Sequence, residues 1–158
     1  LSARMFDLLC TPLGLNPEYR SQLVIAVKLL SIGIGIRYYA YQRHSHYLAL
    51  NALDYALTHK QIALISHLLL FKKEQPSSSL IPKGNFAALL PDVPTLDALY
   101  AILWLSHILL AARGNAETVT LKYEQGVLSI QGNALYLARE QIKNIALPPH
   151  LTIQFQQG

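Results

Sequence analysis

The spacing of apolar residues predicts helices over the first two thirds of the chain. The stretch "SARMFDLLCTPLG" repeats apolar residues at helical intervals and ends at Gly14. The next stretch, "NPEYRSQLVIAVKLLSIG", predicts a second helix with Asn16 as its N-cap and Pro17 at its first position. This helix runs apolar through Leu30, and the glycines of "GIG" at 33–35 are expected to end it.

Three further helices and one loop are predicted between residues 43 and 114. One helix begins near Arg43, and the next is capped by Thr58 and carries Lys72 and Lys73 in its last turn. The range 74–94 holds four prolines and three serines, which indicates a loop. A strongly apolar helix then begins at about Thr95 and ends near 113–114.

The pattern changes to strand-like alternation after residue 115. The stretch "ETVTLKYEQGVLSIQG" alternates apolar and polar residues about Gln125 and Gly126, which predicts a β-hairpin. A helix at "LAREQIKNIAL" and a last strand at "HLTIQF" complete a ββαβ tail. We therefore predict a mainly α protein with a helical domain over 1–114 and a small α+β subdomain over 115–158. So few strands must pack on the helical body or on a partner.

Composition supports a globular chain with an ample core. Hydrophobic residues make up 52% of the sequence, and the longest uncharged apolar run, 98–112, has 15 residues. A bilayer span needs about 20 residues, so a buried core helix is predicted here and no membrane partner is expected. The N-terminal residues lack the pattern of a signal peptide, and the single cysteine, Cys10, fits a reducing compartment and a buried position in a helix. These features predict a cytoplasmic location.

Positive charge is concentrated in the first half of the chain. Between residues 20 and 73 there are seven lysines and arginines and a single carboxylate, Asp54. One interpretation is a solvated basic face, and the other is a surface for a polyanion such as polyphosphate, a nucleotide or nucleic acid. Nucleic acid has the least support, because no nucleic-acid-binding motif accompanies the charge.

The histidines do not form a metal-binding pattern. His44 and His46 are two residues apart, which on a helix turns their side chains about 200° away from each other. We predict a capping or hydrogen-bonded role for His44 and an exposed His46. His59 and His67 are eight residues apart and could line one face, whereas His107 lies in the most apolar helix and is predicted to be a core histidine.

Catalytic motifs are also missing from the sequence. There is no GxSxG nucleophile motif, no phosphate-binding loop of the Walker type, no GxGxxG and no HExxH. The residues alone therefore predict only a helical domain with a basic region and a β-containing tail.

The order of the motifs resembles the C-terminal region of the exopolyphosphatase/guanosine pentaphosphate phosphohydrolase (Ppx/GppA) family. The matching stretches are "RMFDLLCTPLGL", "LVIAVKLLSIG", "YQRHSHYLALNALD", "IALISHLLLFKK" and "ILWLSHILLAAR", followed by the hairpin, helix and strand. The resemblance implies an HD-domain-like helical bundle followed by the small α+β tail.

The metal-binding positions of the HD pattern are largely not kept in this chain. They fall on Leu30, Ser31, Gln42, Phe71 and, approximately, His107. The family histidine that is kept is His44. Apolar or weakly ligating side chains at these positions do not suit a hard cation, so no metal site and no catalytic residue are predicted here.

The resemblance implies a supporting role beside a catalytic domain. In this family an N-terminal actin-like domain carries the phosphatase activity, and magnesium is expected only there. The C-terminal region is implied to dimerise and to help hold polyphosphate or guanosine pentaphosphate. Our candidate phosphate-binding residues are Arg37, Arg43, His44, Lys72 and Lys73.

Two alternatives remain open from the sequence. The first is a residual metal-dependent phosphohydrolase that uses His44, His67 and His107. The second is a purely structural protein-interaction module, whose basic residues form only a solvated face.

Overall fold

A computed structural model of the protein describes residues 1–53, 56–70, 85–111, 119–133 and 135–156, and within them the fold is mainly helical. The helices are α1 (Ser2–Leu9), α2 (Tyr19–Leu29), α3 (Tyr41–Ala52), α4 (His59–Leu68), α5 (Val93–Ala111) and α6 (Tyr136–Ile142). The strands are β1 (Thr120–Glu124), β2 (Val127–Gln131) and β3 (Thr152–Gln156). Short 3₁₀ turns at Ile32–Gly35 and Ala87–Leu89 precede α3 and α5.

Helix α5 lies at the centre of the fold. It contacts α1, α2, α4 and α6, and its buried residues occupy all sides of the helix, as expected for an apolar helix in a core. Within the described residues α5 is the one helix whose length and composition would also suit a membrane span, and 67% of its most apolar stretch is buried inside the protein. The prediction of a buried core helix over this run is confirmed.

The C-terminal tail forms a three-stranded sheet in the order β1-β2-β3. Strands β1 and β2 are antiparallel and join through Gln125 and Gly126, whose φ angles of 47° and 86° are the positive pair that a two-residue hairpin turn requires. Helix α6 connects β2 to β3, which lie parallel to each other. The predicted ββαβ order is confirmed, although α6 ends at Ile142, before the predicted end at residue 147.

The tail and the helices share one hydrophobic core. Val119, Leu128, Ile130 and Ala138 belong to the same buried cluster as the core residues of α1, α2, α4 and α5. Strand β1 contacts α1, and α6 contacts α5. The sheet is therefore packed on the helical body, which covers one of its faces.

Several predicted helix boundaries are shifted in the structure. Helix α2 begins at Tyr19 instead of Pro17, and the Asn16 side chain accepts a hydrogen bond from the Glu18 backbone N–H (3.0 Å) in the turn that precedes the helix. Helix α4 ends at Leu68, and Lys72 and Lys73, which were predicted in its last turn, lie outside the described residues. Cys10 follows α1 instead of lying within it, and its half-buried thiol donates to the Leu15 carbonyl at 3.2 Å.

Candidate functional site

The most distinctive surface of the described protein surrounds the turn between the first 3₁₀ segment and α3. Arg37 and Arg43 are exposed on the two sides of this turn, and three tyrosines of the same region are strongly exposed. The exposed fractions are 79% for Tyr38, 79% for Tyr39 and 63% for Tyr47. We call these five residues the basic aromatic face.

Tight packing beneath this face holds its backbone in place. The Ser45 hydroxyl of α3 accepts a hydrogen bond from the Gly33 N–H (2.9 Å) and donates one to the Leu30 carbonyl (3.0 Å). A Cβ atom at Gly33 would overlap the Tyr41 carbonyl and the Ser45 nitrogen, so only glycine allows this approach. Together these contacts fix the end of α2 and the 3₁₀ segment against the first turn of α3.

The turn itself has an unusual backbone conformation. Ala40, immediately before α3, has a φ of 56°, in the left-handed region that residues with a Cβ rarely adopt. The chain reverses direction there and brings Arg43 into the first turn of the helix. The two arginines therefore reach solvent from one compact loop-and-helix unit.

The electrostatic balance of this region is one-sided. Residues 21–53, all of which are described, contain Lys28, Arg37 and Arg43 as exposed cations and no carboxylate. Arg20, which belongs to the basic region of the sequence, is instead paired with Asp7 through two contacts of 2.7 and 2.9 Å. This pairing leaves the net positive charge closer to α3 than the sequence predicts.

Tyr41, at the start of α3, lies beside the basic aromatic face and close to Tyr38. The pKa of Tyr41 is raised because its hydroxyl is partly buried and because Tyr38 lies near it. Tyr41 therefore stays neutral at ordinary pH and can act as a hydrogen-bond donor.

The two neighbouring histidines of α3 have roles opposite to the predicted ones. His46, predicted to be exposed, is half-buried and donates from Nδ1 to the Ser66 carbonyl of α4 at 2.7 Å. His44 is half-buried, and no side-chain hydrogen bond links it to the described residues. The reason is that α3 packs on α4 through the face that carries His46, which spacing along α3 alone does not reveal.

His59 and His67, which by their spacing could line one face of α4, differ in burial in the structure. His59 is the exposed first residue of the helix, whereas His67 is completely buried. Neither ring nitrogen of His67 has a hydrogen-bond partner among the described residues. Burial, with a smaller contribution from nearby His46, lowers the pKa of His67 to about 4, so its imidazole is neutral near pH 7.

His107 is separate from these groups. Its ring meets the Trp104 ring edge-on, with 5.4 Å between ring centroids, and burial lowers its pKa. It is only half-buried in α5, so it lies at the border of the core and not within it as predicted.

The positions that correspond to an HD metal site do not form a ligand set in the described structure. Leu30 is fully buried in the apolar core and Ser31 is exposed, while Phe71 lies outside the described residues. Over the described ranges no group of three or more histidine, cysteine, aspartate or glutamate side chains could hold a metal ion. Because Leu30 is apolar and Ser31 is only a weak ligand, these two residues do not suit a divalent cation.

A groove beside strand β3 was not anticipated from the sequence. It has a volume of about 600 Å³, and its walls come from α6, the segment after it and β3. The lining combines apolar residues, among them Ile142, Ile145, Leu147, Ile153 and Phe155, with polar Thr152 and Gln154 and with the cations Arg139 and Lys143. The alternation in "HLTIQF" predicts the strand, but it does not show that one edge of that strand is not paired with any other described strand.

Comparison with known proteins does not identify the chain. No protein-family model and no curated protein matches it. The family resemblance therefore depends on the sequence motifs described above, and it enters the functional conclusion only as a proposal.

Proposed function

We propose that this chain is the non-catalytic, HD-like C-terminal region of a Ppx/GppA-type exopolyphosphatase or guanosine pentaphosphate phosphatase. Its role would be to bind a phosphate polyanion and to dimerise. The observation that carries the polyanion part is the exposure of Arg37 and Arg43 in a region, residues 21–53, that contains no carboxylate. The order of five helices followed by a small sheet with α6 agrees with the order of the family motifs.

The chemistry of the basic aromatic face suits a phosphate chain. Arginine presents a planar fork of N–H donors that matches phosphate oxygens, and its charge does not depend on pH in the physiological range. Exposed tyrosine hydroxyls can donate to further oxygens, and their rings offer flat surfaces beside the charges. His44, in the first turn of α3 next to Arg43, and Lys28 extend the set of nearby donors.

Catalysis is assigned in this proposal to an actin-like domain outside this chain, with magnesium bound there. Exposed Ile32, Ile34 and Ile36 adjoin the arginines, with exposed fractions between 42% and 55%. Apolar side chains next to cations fit a surface that another domain covers while a polyanion lies at its border. We propose a cytoplasmic protein in which this region supports polyphosphate or nucleotide binding.

A binding titration tests the polyanion part directly. The chain is titrated with polyphosphate, and separately with guanosine pentaphosphate, by calorimetry at low and at physiological salt. We expect salt-sensitive binding, weakened at least about tenfold in the double variant Arg37→Ala, Arg43→Ala, because each lost guanidinium removes charge-assisted hydrogen bonds. The variant Lys72→Ala, Lys73→Ala tests the predicted lysines in the same way.

The matched control removes a cation from a different part of the molecule. Arg139→Gln changes the net charge by one unit at α6, outside the basic aromatic face, and is expected to leave the affinity nearly unchanged. Equal loss per removed charge in Arg139→Gln and in the double variant Arg37→Ala, Arg43→Ala would mean that only net charge matters and would contradict a defined binding face. A stable dimer that binds neither phosphate ligand would favour the structural interaction module instead.

The residual phosphohydrolase has its own test. Metal analysis of the purified chain, followed by phosphatase assays with added divalent ions, examines the use of His44, His67 and His107. Bound transition metal in stoichiometric amount, lost in His44→Ala, would overturn the non-catalytic assignment.

A further inference from the structure

The two edges of the small sheet differ in how they are protected. Edge strand β1 carries the exposed charges of Lys122 and Glu124 and packs near α1. Edge strand β3, with the sequence "TIQFQ", has no charged residue and no proline. Natural sheets use charges, prolines and covering elements to prevent edge-to-edge pairing. Strand β3 has neither charges nor prolines.

The hydrogen bonds of β3 show which of its backbone groups are directed outward. Thr152 donates its N–H to the Gly126 carbonyl at 2.9 Å, and β3 runs parallel to β2 in the register Val127–Thr152 through Gln131–Gln156. In a parallel ladder every second residue bonds to the same neighbour. Thr152, Gln154 and Gln156 therefore bond to β2, while the backbone N–H and C=O groups of Ile153 and Phe155 are directed away from it.

The side chains of β3 leave an apolar surface beside that edge, which no other described strand covers. Ile153 and Phe155 are in register with Leu128 and Ile130, which are fully buried. Ile153 and Phe155 themselves are only half-buried, and they form one wall of the groove of about 600 Å³. An additional strand at this edge would place its inward side chains over that groove.

We infer that β3 pairs antiparallel with β3 of a second copy of this chain, with Gln154 on the two-fold axis. Ile153 then lies opposite the partner's Phe155, and Phe155 lies opposite the partner's Ile153. In this register all four outward backbone groups of each β3 find a partner, which gives four hydrogen bonds between the copies. The result is a continuous six-stranded sheet with the order β1-β2-β3-β3-β2-β1.

The strand is complementary to itself in this register. On the inner face aliphatic Ile153 meets aromatic Phe155, which is a favourable cross-strand pair. On the outer face Gln154 meets its own copy and Thr152 meets the partner's Gln156, so polar groups meet and no like charges face each other within the strands.

Of the two cations beside the groove, Lys143 is already paired with Glu140 at 2.7 Å, and Arg139 is exposed and can reach solvent. A second copy therefore fits this edge without introducing a buried charge.

This inference supplies the surface for the dimerisation in the proposed function and rests on that part of it alone. It uses no residue of the basic aromatic face. Phosphate binding can therefore fail while the strand pairing stands, and the reverse is equally possible.

Disulfide trapping gives the sharpest test. Across the axis the two Gln154 residues form a non-hydrogen-bonded antiparallel pair, with Cα atoms about 4.5 Å apart, which is within the range for a disulfide. We expect Gln154→Cys, in a Cys10→Ser background, to form a covalent dimer readily under mild oxidation. Gln156→Cys is the matched control, because its two copies would lie about 13 Å apart along the strands.

A second pair of variants tests the same register without the need for disulfide formation. Gln154→Lys places two ammonium groups against each other at the axis, whereas Gln156→Lys places each opposite a threonine. In light scattering over a concentration series, Gln154→Lys is expected to weaken the dimer at least about tenfold more than Gln156→Lys. Both side chains are exposed, so the fold of each copy is preserved and is checked by circular dichroism.

Three results would overturn the pairing. They are a chain that stays monomeric at all concentrations, equal cross-linking of the two cysteine variants, and equal dimer strength of the two lysine variants. Polyphosphate titration of Gln154→Lys separates the two proposals: retained binding by a monomer supports the polyanion part of the proposed function independently of the dimer.

Discussion

At the residue scale, His67 shows how strongly the surroundings of a histidine decide its role. It is fully buried, and both ring nitrogens are without hydrogen-bond partners among the described residues. Burying a polar group without a partner costs free energy, so this imidazole destabilises the fold relative to an apolar side chain of similar size. Backbone groups at the same place are satisfied: the Ser66 carbonyl accepts from His46, and the His67 carbonyl accepts from Tyr100 at 3.4 Å.

The lowered pKa of His67 predicts acid-sensitive stability. The pKa is about 4 in the folded chain and 6.5 as the ordinary value, so the unfolded chain binds a proton more readily. As pH falls from above 6.5 to near 4, the free energy of unfolding should therefore decrease by up to roughly 3 kcal/mol from this group. Urea denaturation at pH values across this interval measures the decrease.

The variant His67→Leu is expected to remove this part of the pH dependence. Because an apolar side chain replaces a buried group without partners, the variant should also be more stable near pH 7, by about 1 kcal/mol. His59→Leu, at the exposed first turn of the same helix, is the control. An unchanged pH slope in His67→Leu would show that His67 does not control the acid response.

The sequence could not reveal this difference between two histidines of one helix. Spacing places His59 and His67 on related sides of α4, but the first turn of the helix extends beyond the packed region, while the last turn lies beneath α3 and α5. Burial is a property of neighbours from distant parts of the chain. For the same reason the roles of His44 and His46 were predicted the wrong way round.

At the scale of elements, the connection between the 3₁₀ segment and α3 depends on one glycine. The Gly33 backbone lies directly against the Tyr41 carbonyl and the Ser45 nitrogen, whereas a Cβ at Gly35 would meet nothing within 4 Å. Gly33→Ala should therefore force the two elements apart and destabilise the protein by about 2 kcal/mol or more. Gly35→Ala, two residues away, should change stability by no more than about 1 kcal/mol.

Thermal unfolding followed by circular dichroism compares the two glycine variants. Because Arg37 and Arg43 lie on either side of this connection, Gly33→Ala should weaken polyphosphate binding as well as stability. Equal stability of the two alanine variants would contradict the close approach of the 3₁₀ segment to α3.

Local signals of the sequence predicted some elements well. Thr58 caps α4 as expected, and its hydroxyl accepts from the Gln61 N–H while the Gln61 side chain accepts from the Thr58 N–H. The hairpin at Gln125 and Gly126 also follows from local turn chemistry. Both features depend on residues within a few positions of each other, which is why the sequence alone predicts them.

Features that depend on distant contacts were not predictable in the same way. Gly33 was expected only to end α2, and its packing against α3 depends on how the chain folds back at Ala40. The basic region was predicted, but the pairing of Arg20 with Asp7 and the exposure of the tyrosines were not. The open edge of β3 likewise requires knowledge of the strand order.

At the scale of the whole molecule, the central question is whether the helical part and the tail behave as one unit. Sequence composition predicts a boundary near residue 114, yet Leu128 and Ile130 of β2 are fully buried in the cluster that contains the core of α5. A shared core predicts that the two parts lose their structure together. Trp104, the chain's single tryptophan, lies in α5 and reports on the helical part.

Ile130→Ala tests this coupling from the opposite side of the predicted boundary. Removing three buried carbons from the sheet should cost about 2–5 kcal/mol. If the core is shared, the urea midpoint measured by Trp104 fluorescence falls by the same amount as the midpoint measured by circular dichroism. Ser129→Ala, at the next position on the opposite face of β2, is the control and should leave both midpoints nearly unchanged. A Trp104 midpoint that stays constant in Ile130→Ala would instead establish 1–114 and 115–158 as separately folding domains.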